Sequence, residues 1–430
     1  MITDEQSQRI LDAVDAAFDA QLSFTQELVK HPSLRTKEGS AQELLHAAMA
    51  ARGLAMDQWE LDAGELSTHS GHGAVTVSYE NVTNVVGTYQ PVSGTGRSLI
   101  LNGHVDVVPE GPAEMWSRSP WDAPIIDGWL YGRGAGDMKA GLAANLFAFD
   151  AVRAAGFDPA GRIHLQSVVE EECTGNGSLS ALMRGYRADA VVIPEPEEDM
   201  LVRANVGVLW FKVRVSGKPT HPREMGSGFN AIDAAYTAIA ALREVEEKWN
   251  TERANHRYFE DLDHPINFNF GGIVGGDWPS SVPAWCEFDV RAAVYPGISA
   301  DRAWSELQEC LANLGGGEKP ISAVPTKTGF FAEGYVLEPG SDAEALLERT
   351  HAQVFGTELD TFTTPGYLDG RVFTLYADTP TLVYGPVSES IHGFDERVSV
   401  ESIRRITKSI ALFIAEWCGI DESTSPHQEN

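Results

Sequence analysis

Five short stretches of this chain set histidines and carboxylates just beyond apolar runs, where they could hold divalent cations. In LILNGHVDVVP, residues 99–109, His104 and Asp106 stand two apart. An extended backbone points such a pair to one side. The imidazole could then ligate a metal while the carboxylate bonds its other ring nitrogen or a nearby group; a surface histidine beside a loop aspartate is the alternative. In YGRGAGDMKAG, residues 131–141, three glycines precede Asp137 and a helix is expected just after it. Glycine lets backbone turn sharply and approach a ligand closely. Asp137 reads either as a metal-bridging carboxylate or as the cap of that helix; the spacing does not fit a phosphate loop. In QSVVEEECTGNG, residues 166–177, a β-branched strand runs into Glu170, Glu171 and Glu172. Three adjacent carboxylates repel one another unless cations or protons intervene. One could bind metal and its neighbour act as general base toward water, with a solvated acidic turn as the alternative. Glu195 lies between two prolines in AVVIPEP, and His392 follows a Gly-Pro turn in LVYGPVSESIHGFDER, close to Asp395 and Glu396. Nitrogen and oxygen ligands without cysteine suit zinc, manganese or cobalt. A carboxylate bridging two ions is the usual arrangement for two-metal hydrolysis.

The elements that must position these groups alternate between strand and helix. Apolar spacing predicts helices over 4–31, 38–52, 142–155 and 178–185, and strands over 74–79, 84–89, 98–102, 162–169 and 190–193. That order implies an α/β fold, a mixed, mostly parallel sheet flanked by helices. After Asn205 the texture changes. A strand over 206–215, a helix over 230–245, strands over 267–273 and 284–292, a helix over 300–314 and a strand over 323–330 follow the order of a ferredoxin-like α+β sandwich. The α/β texture then resumes with a helix over 343–354, a strand over 381–384 and a helix over 400–417. We therefore expect a catalytic domain in two pieces, 1–205 and 330–418, an inserted ferredoxin-like domain over 206–329, and a polar, disordered tail over 419–430.

Composition narrows the function. The chain has 430 residues, too many for one ordinary core. With 62 acidic against 32 basic residues its formal net charge is -30, which speaks against a nucleic-acid partner. No apolar run is long enough for a membrane span. The N-terminus, MITDEQSQRILDAVDAAFDAQ, lacks the basic start and apolar core of a signal peptide, so a cytoplasmic protein is expected. Cys173, Cys286, Cys310 and Cys418 form no C-x-x-C pair, and reduced thiols are expected.

Taken together, GHVDVVP, GRGAGDMKAG, EEECTGNG, PEP and IHGFDE, in that order from about His31 to Ile414, resemble the metallopeptidase family of acetylornithine deacetylase, succinyl-diaminopimelate desuccinylase, aminoacylase and glutamate carboxypeptidase. VSGKPTHP with FNAI, and FGGIVGGDWPSSVPAWCEFDVR, are similar to the family's lid and dimerisation domain. The resemblance implies an amidohydrolase with two zinc ions per subunit, cobalt or manganese being substitutes. It implies metal ligands His104, Asp137, Glu172, Glu195 and His392. Asp137 would bridge, Glu195 would share one metal with His104, and Glu172 would share the other with His392. Asp106 would orient His104, and Glu171 would be the general base, in a register set by Gly175 and Gly177. His221 would reach the partner subunit's site in a homodimer and stabilise an oxyanion. Asn269, Arg291 and Arg371 would contact substrate, and Tyr367 and Asp369 in PGYLDGR would form part of the wall. Relatives often read S/T-D-A-R where this chain has Leu-Asp-Gly-Arg. The implied substrate is a small N-acyl amino acid or amine, giving a deacylase. An exopeptidase acting on a dipeptide-like amide is the second reading, and an inactive metal-binding or regulatory module the third.

Overall fold

The computed structural model of the chain describes residues 2–314 and 321–423. Ten strands build its two larger sheets: β1 (Ala55–Glu60), β2 (Thr83–Tyr89), β3 (Leu99–His104), β4 (Ile163–Val168), β5 (Ala190–Ile193), β6 (Gly207–Ser216), β7 (Phe268–Gly275), β8 (Trp285–Val294), β9 (Ser322–Ala332) and β10 (Thr381–Val383). The six-stranded sheet has the order β1-β2-β4-β3-β5-β10. Its β4, β3, β5 and β10 are parallel, and β1 and β2 add an antiparallel edge.

Both faces of this sheet are covered, so its strands are apolar at successive positions rather than alternate ones. Leu99 and Leu101 join a core with Leu165, Val192, Phe149 and Ile410, while Ile100 points to the other face, into a core with Leu45, Val191, Leu182 and Phe373. Helices Asp4–Val29, Ala140–Ala154, Asp342–Phe355 and Val400–Trp417 cover the first face. Helix Val400–Trp417 buries Ile403, Ile406, Ile410, Phe413, Ile414 and Trp417, an i, i+3/i+4 stripe. It starts where the Ser399 hydroxyl accepts the Ser402 N–H.

The second sheet runs β7-β8-β6-β9, antiparallel throughout. With helices Ala231–Thr251 and Ala300–Ala312 it gives β-α-β-β-α-β, the expected ferredoxin-like order. Phe211, Val213 and Val215 alternate into its separate core, and Ala231, Ala234, Ala235, Ala238 and Leu242 meet them from the helix. Two short strands connect the sheets. Leu201–Asn205 leads out and Tyr335–Val336 leads back, and they pair side by side, with the Tyr335 N–H also donating to Asn205 Oδ1 at 3.0 Å.

Two expectations need correction, and one strand was not foreseen. Residues 74–79 alternate as a strand would but form none. The Ala74 N–H instead donates to the Gly329 carbonyl at 2.7 Å and Gly73 N–H to Asn176 Oδ1 at 2.9 Å, so this segment spends its bonds bridging two elements. The edge strand β1, with charged Asp57 and Glu60, escapes a pattern search. The tail is not wholly without structure: Ile420–Glu422 pairs antiparallel with Phe157–Pro159, and residues 424–430 lie outside the described residues.

Candidate metal centre

Three neighbouring parallel strands, β4, β3 and β5, end on the same edge of the sheet, where sites form in α/β folds. His104 is the last residue of β3, Glu170–Glu172 follow β4 and Glu195 follows β5. Asp137 precedes helix Ala140–Ala154, whose start is Lys139 without a side-chain cap, so the capping role for Asp137 is excluded. Its carboxylate instead lies between two imidazoles. Oδ1 is 3.0 Å from His104 Nε2 and Oδ2 is 3.3 Å from His392 Nε2. His104 Nε2 is also 3.7 Å from Glu195 Oε2 and 3.8 Å from Glu171 Oε2. His392 Nε2 is 3.1 Å from Glu172 Oε2. The potential ligand atoms of His104, Glu171 and Glu195, and those of His104, Asp137 and Glu172, form two sets each within 4.8 Å.

Local backbone explains how consecutive glutamates part ways. Glu170 has φ +64, a left-handed turn that costs a non-glycine residue about 1–2 kcal/mol. It is fixed by N–H donors from Thr174 and Gly175 to the Glu170 carbonyl at 3.0 and 2.8 Å. Its fully buried carboxylate turns away to Arg35, with Nη2 at 2.8 Å, and accepts the Tyr79 and Thr174 hydroxyls at 2.8 and 2.9 Å. Glu171 and Glu172 then face the cluster. Asp106 braces both: its carboxylate accepts their N–H groups at 3.3 and 3.2 Å. The His104 Nδ1 meets the Asp106 main-chain carbonyl at 2.9 Å rather than its carboxylate, which is 3.6 Å away.

The electrostatics are those of a site short of positive charge. Burial alone would push the His104 imidazole down, but Glu195, Glu171, Asp106 and Asp137 raise it well above its ordinary value. The charge of Glu172 raises His392 to about 11. Burial would lift the Asp137 carboxyl, yet hydrogen bonds from both histidines hold it far below the usual range. Burial, with like charges around them, raises Glu171 and Glu172 and brings Glu195 to about 7. Oε1 of Glu195 is buried with no hydrogen-bond partner. Among the described residues no lysine or arginine pairs with Asp137, Glu171, Glu172 or Glu195. Orphaned carboxylate oxygen, clustered acids and two imidazoles together fit divalent cations.

A cavity of about 840 Å³ opens over the cluster, between the two sheets. Asn269 and Arg291, cross-strand neighbours on β7 and β8, line it with Tyr367. Arg371 does not. It is 1% exposed and donates to the Gly71 carbonyl and the Tyr376 hydroxyl, so its guanidinium braces the fold, and the expected substrate contact is withdrawn. Asp369 is likewise buried behind the wall, accepting the Tyr367 hydroxyl at 2.9 Å. His221 is exposed on a loop, where its Nδ1 accepts the Arg223 N–H, and lies outside the cavity of its own chain.

Sequence reasoning missed a clamp behind the ligands. Arg133 and Glu396, 2% and 1% exposed, pair at 2.5 Å. Glu396 Oε1 accepts the Gly136 and Asp137 N–H groups at 3.0 and 3.1 Å, and Arg133 Nη2 donates to the Gly393 carbonyl at 2.9 Å. The pair thus ties the Asp137 turn to the His392 loop. Its signal was the arginine within YGRGAGD and the glutamate four residues beyond His392.

Comparison with known proteins gives a family and a shared fold. The sequence family described as peptidase family M20/M25/M40 matches residues 100–416. N-formyl-4-amino-5-aminomethyl-2-methylpyrimidine deformylase of Halalkalibacterium halodurans is 28% identical over 440 aligned residues, covering 96% of this chain and 97% of the relative. Succinyl-diaminopimelate desuccinylase of an Azoarcus species is 30% identical, covering 73% and 82%. Among solved structures, the di-peptidase Dug1p of Saccharomyces cerevisiae superposes with a TM-score of 0.80 at 14% identity, over 96% of this chain and 98% of that one. Human carnosine dipeptidase 1 gives 0.73 at 16%, over 96% and 99%.

Proposed function

Starting from the premise that this chain belongs to peptidase family M20/M25/M40, we propose that it is a two-zinc amidohydrolase that removes the acyl group from a small N-acylated amine. The observation that carries this reading is the Asp137 carboxylate, with one oxygen toward His104 and the other toward His392. His104 and Glu195 would hold one ion, His392 and Glu172 the other, and Asp137 both. Bound there, two ions would supply Lewis-acid polarisation of the amide carbonyl and a water acidified toward neutrality. Glu171 faces the cluster without an arginine or lysine partner. It would take the proton of the attacking water and pass it to the leaving nitrogen. Asp106 holds the Glu171 and Glu172 backbone and the His104 ring, which keeps base and ligands in register. Asn269 and Arg291 would contact the substrate from the second sheet.

Residues 206–329 are assigned to a lid and dimerisation domain, and 1–205 with 330–418 to the catalytic domain. An exposed His221 outside its own cavity suits a donor delivered to a second subunit, and a homodimer is part of the proposal. The two curated relatives named above support a deacylase, since both carry names of enzymes that remove an acyl group from nitrogen. No helix of the described residues is long and apolar enough to cross a membrane. With four free cysteines we assign the protein to the cytoplasm.

Elemental analysis of the purified protein, paired with acyl release before and after chelation, tests this reading. About two zinc per chain and activity lost to chelator and restored by zinc or cobalt are expected. Full turnover in metal-free protein would remove the proposal.

A further inference from the structure

Outside the metal-ligating set, the cavity wall has a charge pattern of its own. Asp289 is 3.8 Å from Lys212 Nζ and so has a cation at hand. Arg291 donates from Nη2 to the Pro365 carbonyl at 3.0 Å, which occupies part of its fork. Glu197 is different. It lines the cavity two residues past Glu195 and its main-chain N–H donates to the Glu195 carbonyl at 2.8 Å. Its carboxyl has no hydrogen bond or ion pair among the described residues. Asp137, Glu171, Glu172 and Glu195 belong to the candidate metal cluster and Asp289 has Lys212, so Glu197 is the cavity-lining acid with neither.

The same cavity carries a continuous aromatic surface. Trp210 and Phe330 meet edge to face with centroids 5.0 Å apart, and Phe330 and Tyr367 are 4.2 Å apart. Flat rings pack on such a surface, and cations are drawn to it as well. An amine half rich in carboxylates would find one arginine, already engaged, and an uncompensated acid.

Resting on the amidohydrolase reading above, we propose that the amine half of the substrate is an aromatic or heteroaromatic group bearing a second, basic nitrogen. Its ring lies on the Trp210, Phe330 and Tyr367 surface and its positive charge is taken by Glu197. Glu197 is then the residue that selects a cationic substrate over neutral and acidic ones.

The test uses the zinc-loaded full chain and three formamides on one scaffold. They are para-xylylenediamine carrying a single formyl group (cationic), N-formyl-para-methylbenzylamine (neutral) and N-formyl-para-carboxybenzylamine (acidic). Wild type is expected to rank them in that order in kcat/KM. Glu197→Gln is expected to shrink the cationic-over-neutral ratio roughly 10- to 100-fold, the worth of a charge-assisted contact. Calorimetry on two ligands that cannot be hydrolysed, benzylamine (cationic) against benzyl alcohol (neutral), reads the charge preference without catalysis. If no formamide is hydrolysed, the calorimetric ratio alone decides this subsite, and the amidohydrolase reading stands or falls on its own metal and chelation test. An unchanged ratio in the variant, or a wild-type preference for the acidic probe, overturns the proposal. Glu197→Ser gives a second charge-free side chain should the glutamine variant not fold.

Discussion

Replacing Arg133 by methionine should loosen one half of the metal centre without touching a ligand. The change keeps an unbranched apolar stem and removes the charge facing Glu396. Both partners are nearly unexposed, at 2% and 1%, so solvent screens little of the loss. Breaking a buried pair from one side typically costs about 3–5 kcal/mol because the other charge stays behind. Here Glu396 keeps two backbone donors on Oε1, from Gly136 and Asp137, which argues for the lower end, about 3 kcal/mol. The bond from Arg133 to the Gly393 carbonyl is lost as well, and that carbonyl directly follows His392. Removing a partner that orients a ligand usually lowers metal affinity about 10–100-fold. The loss should fall on the His392–Glu172 position, because His104 and Glu195 take no bond from the clamp. Urea unfolding of the metal-free protein gives the stability term. Cobalt titration followed by absorbance should show one equivalent binding nearly as in wild type and the second weakened. The double variant Arg133→Met with Glu396→Gln should recover much of the stability, since the stranded charge is gone. A single variant within about 0.5 kcal/mol of wild type, with both cobalt equivalents unchanged, would refute the clamp.

Glu171→Gln should keep both metals and lose on the order of 10²–10⁴ in kcat, read by acyl release beside metal analysis; normal turnover would take Glu171 out of the reaction. Glu38, buried beside Asp106, is raised by burial and then by that like charge from 4.5 to about 8. The folded state therefore holds the proton more tightly than the unfolded one, so this stabilising contribution is full below about pH 4.5 and is lost as pH rises through about 8. Glu38→Gln should gain stability over wild type across that window, by up to roughly 4–5 kcal/mol, and the two urea curves should converge toward the acid end; parallel pH profiles would contradict it. Mixing inactive His221→Ala and Glu171→Gln chains should restore activity as mixed dimers form, each carrying one site with both groups intact. No recovery after confirmed subunit exchange would place His221 outside the partner's site.

Much of this molecule could be read from residues alone where one local rule decides. His104, Glu171, Glu172 and Glu195 were visible because each follows a run of buried β residues, so strand direction alone brings them to one edge. The ferredoxin-like order was visible because Val206–Val215 and Asn230–Val245 switch cleanly from a two-residue to a 3.6-residue period. What could not be read depends on distant partners. Arg371 resembles a substrate arginine in its motif, yet a carbonyl at Gly71, 300 positions away, claims its guanidinium. Residues 74–79 have the alternation of a strand but bond to Gly329 and Asn176 instead. Glu170 looks equivalent to its two neighbours until a left-handed turn and Arg35 divert it. Asp106 was expected to bond the other ring nitrogen of His104 or a nearby group; its carbonyl meets the ring while its carboxylate takes the nearby groups, two amides.

The pairing of Leu201–Asn205 with Tyr335–Val336 has an evolutionary consequence. Because the chain leaves for the ferredoxin-like layer and comes home at adjacent positions, that layer could be trimmed or exchanged by rejoining two neighbouring backbone ends. Every proposed ion-holding side chain belongs to the part that would remain, as do Glu197 and Tyr367, whereas Trp210, Asn269 and Arg291 would leave with the excised part. The part of the pocket wall built by Trp210, Asn269 and Arg291 can thus drift, through swaps or loop changes on one side of the junction, while the chemistry on the other side is left alone.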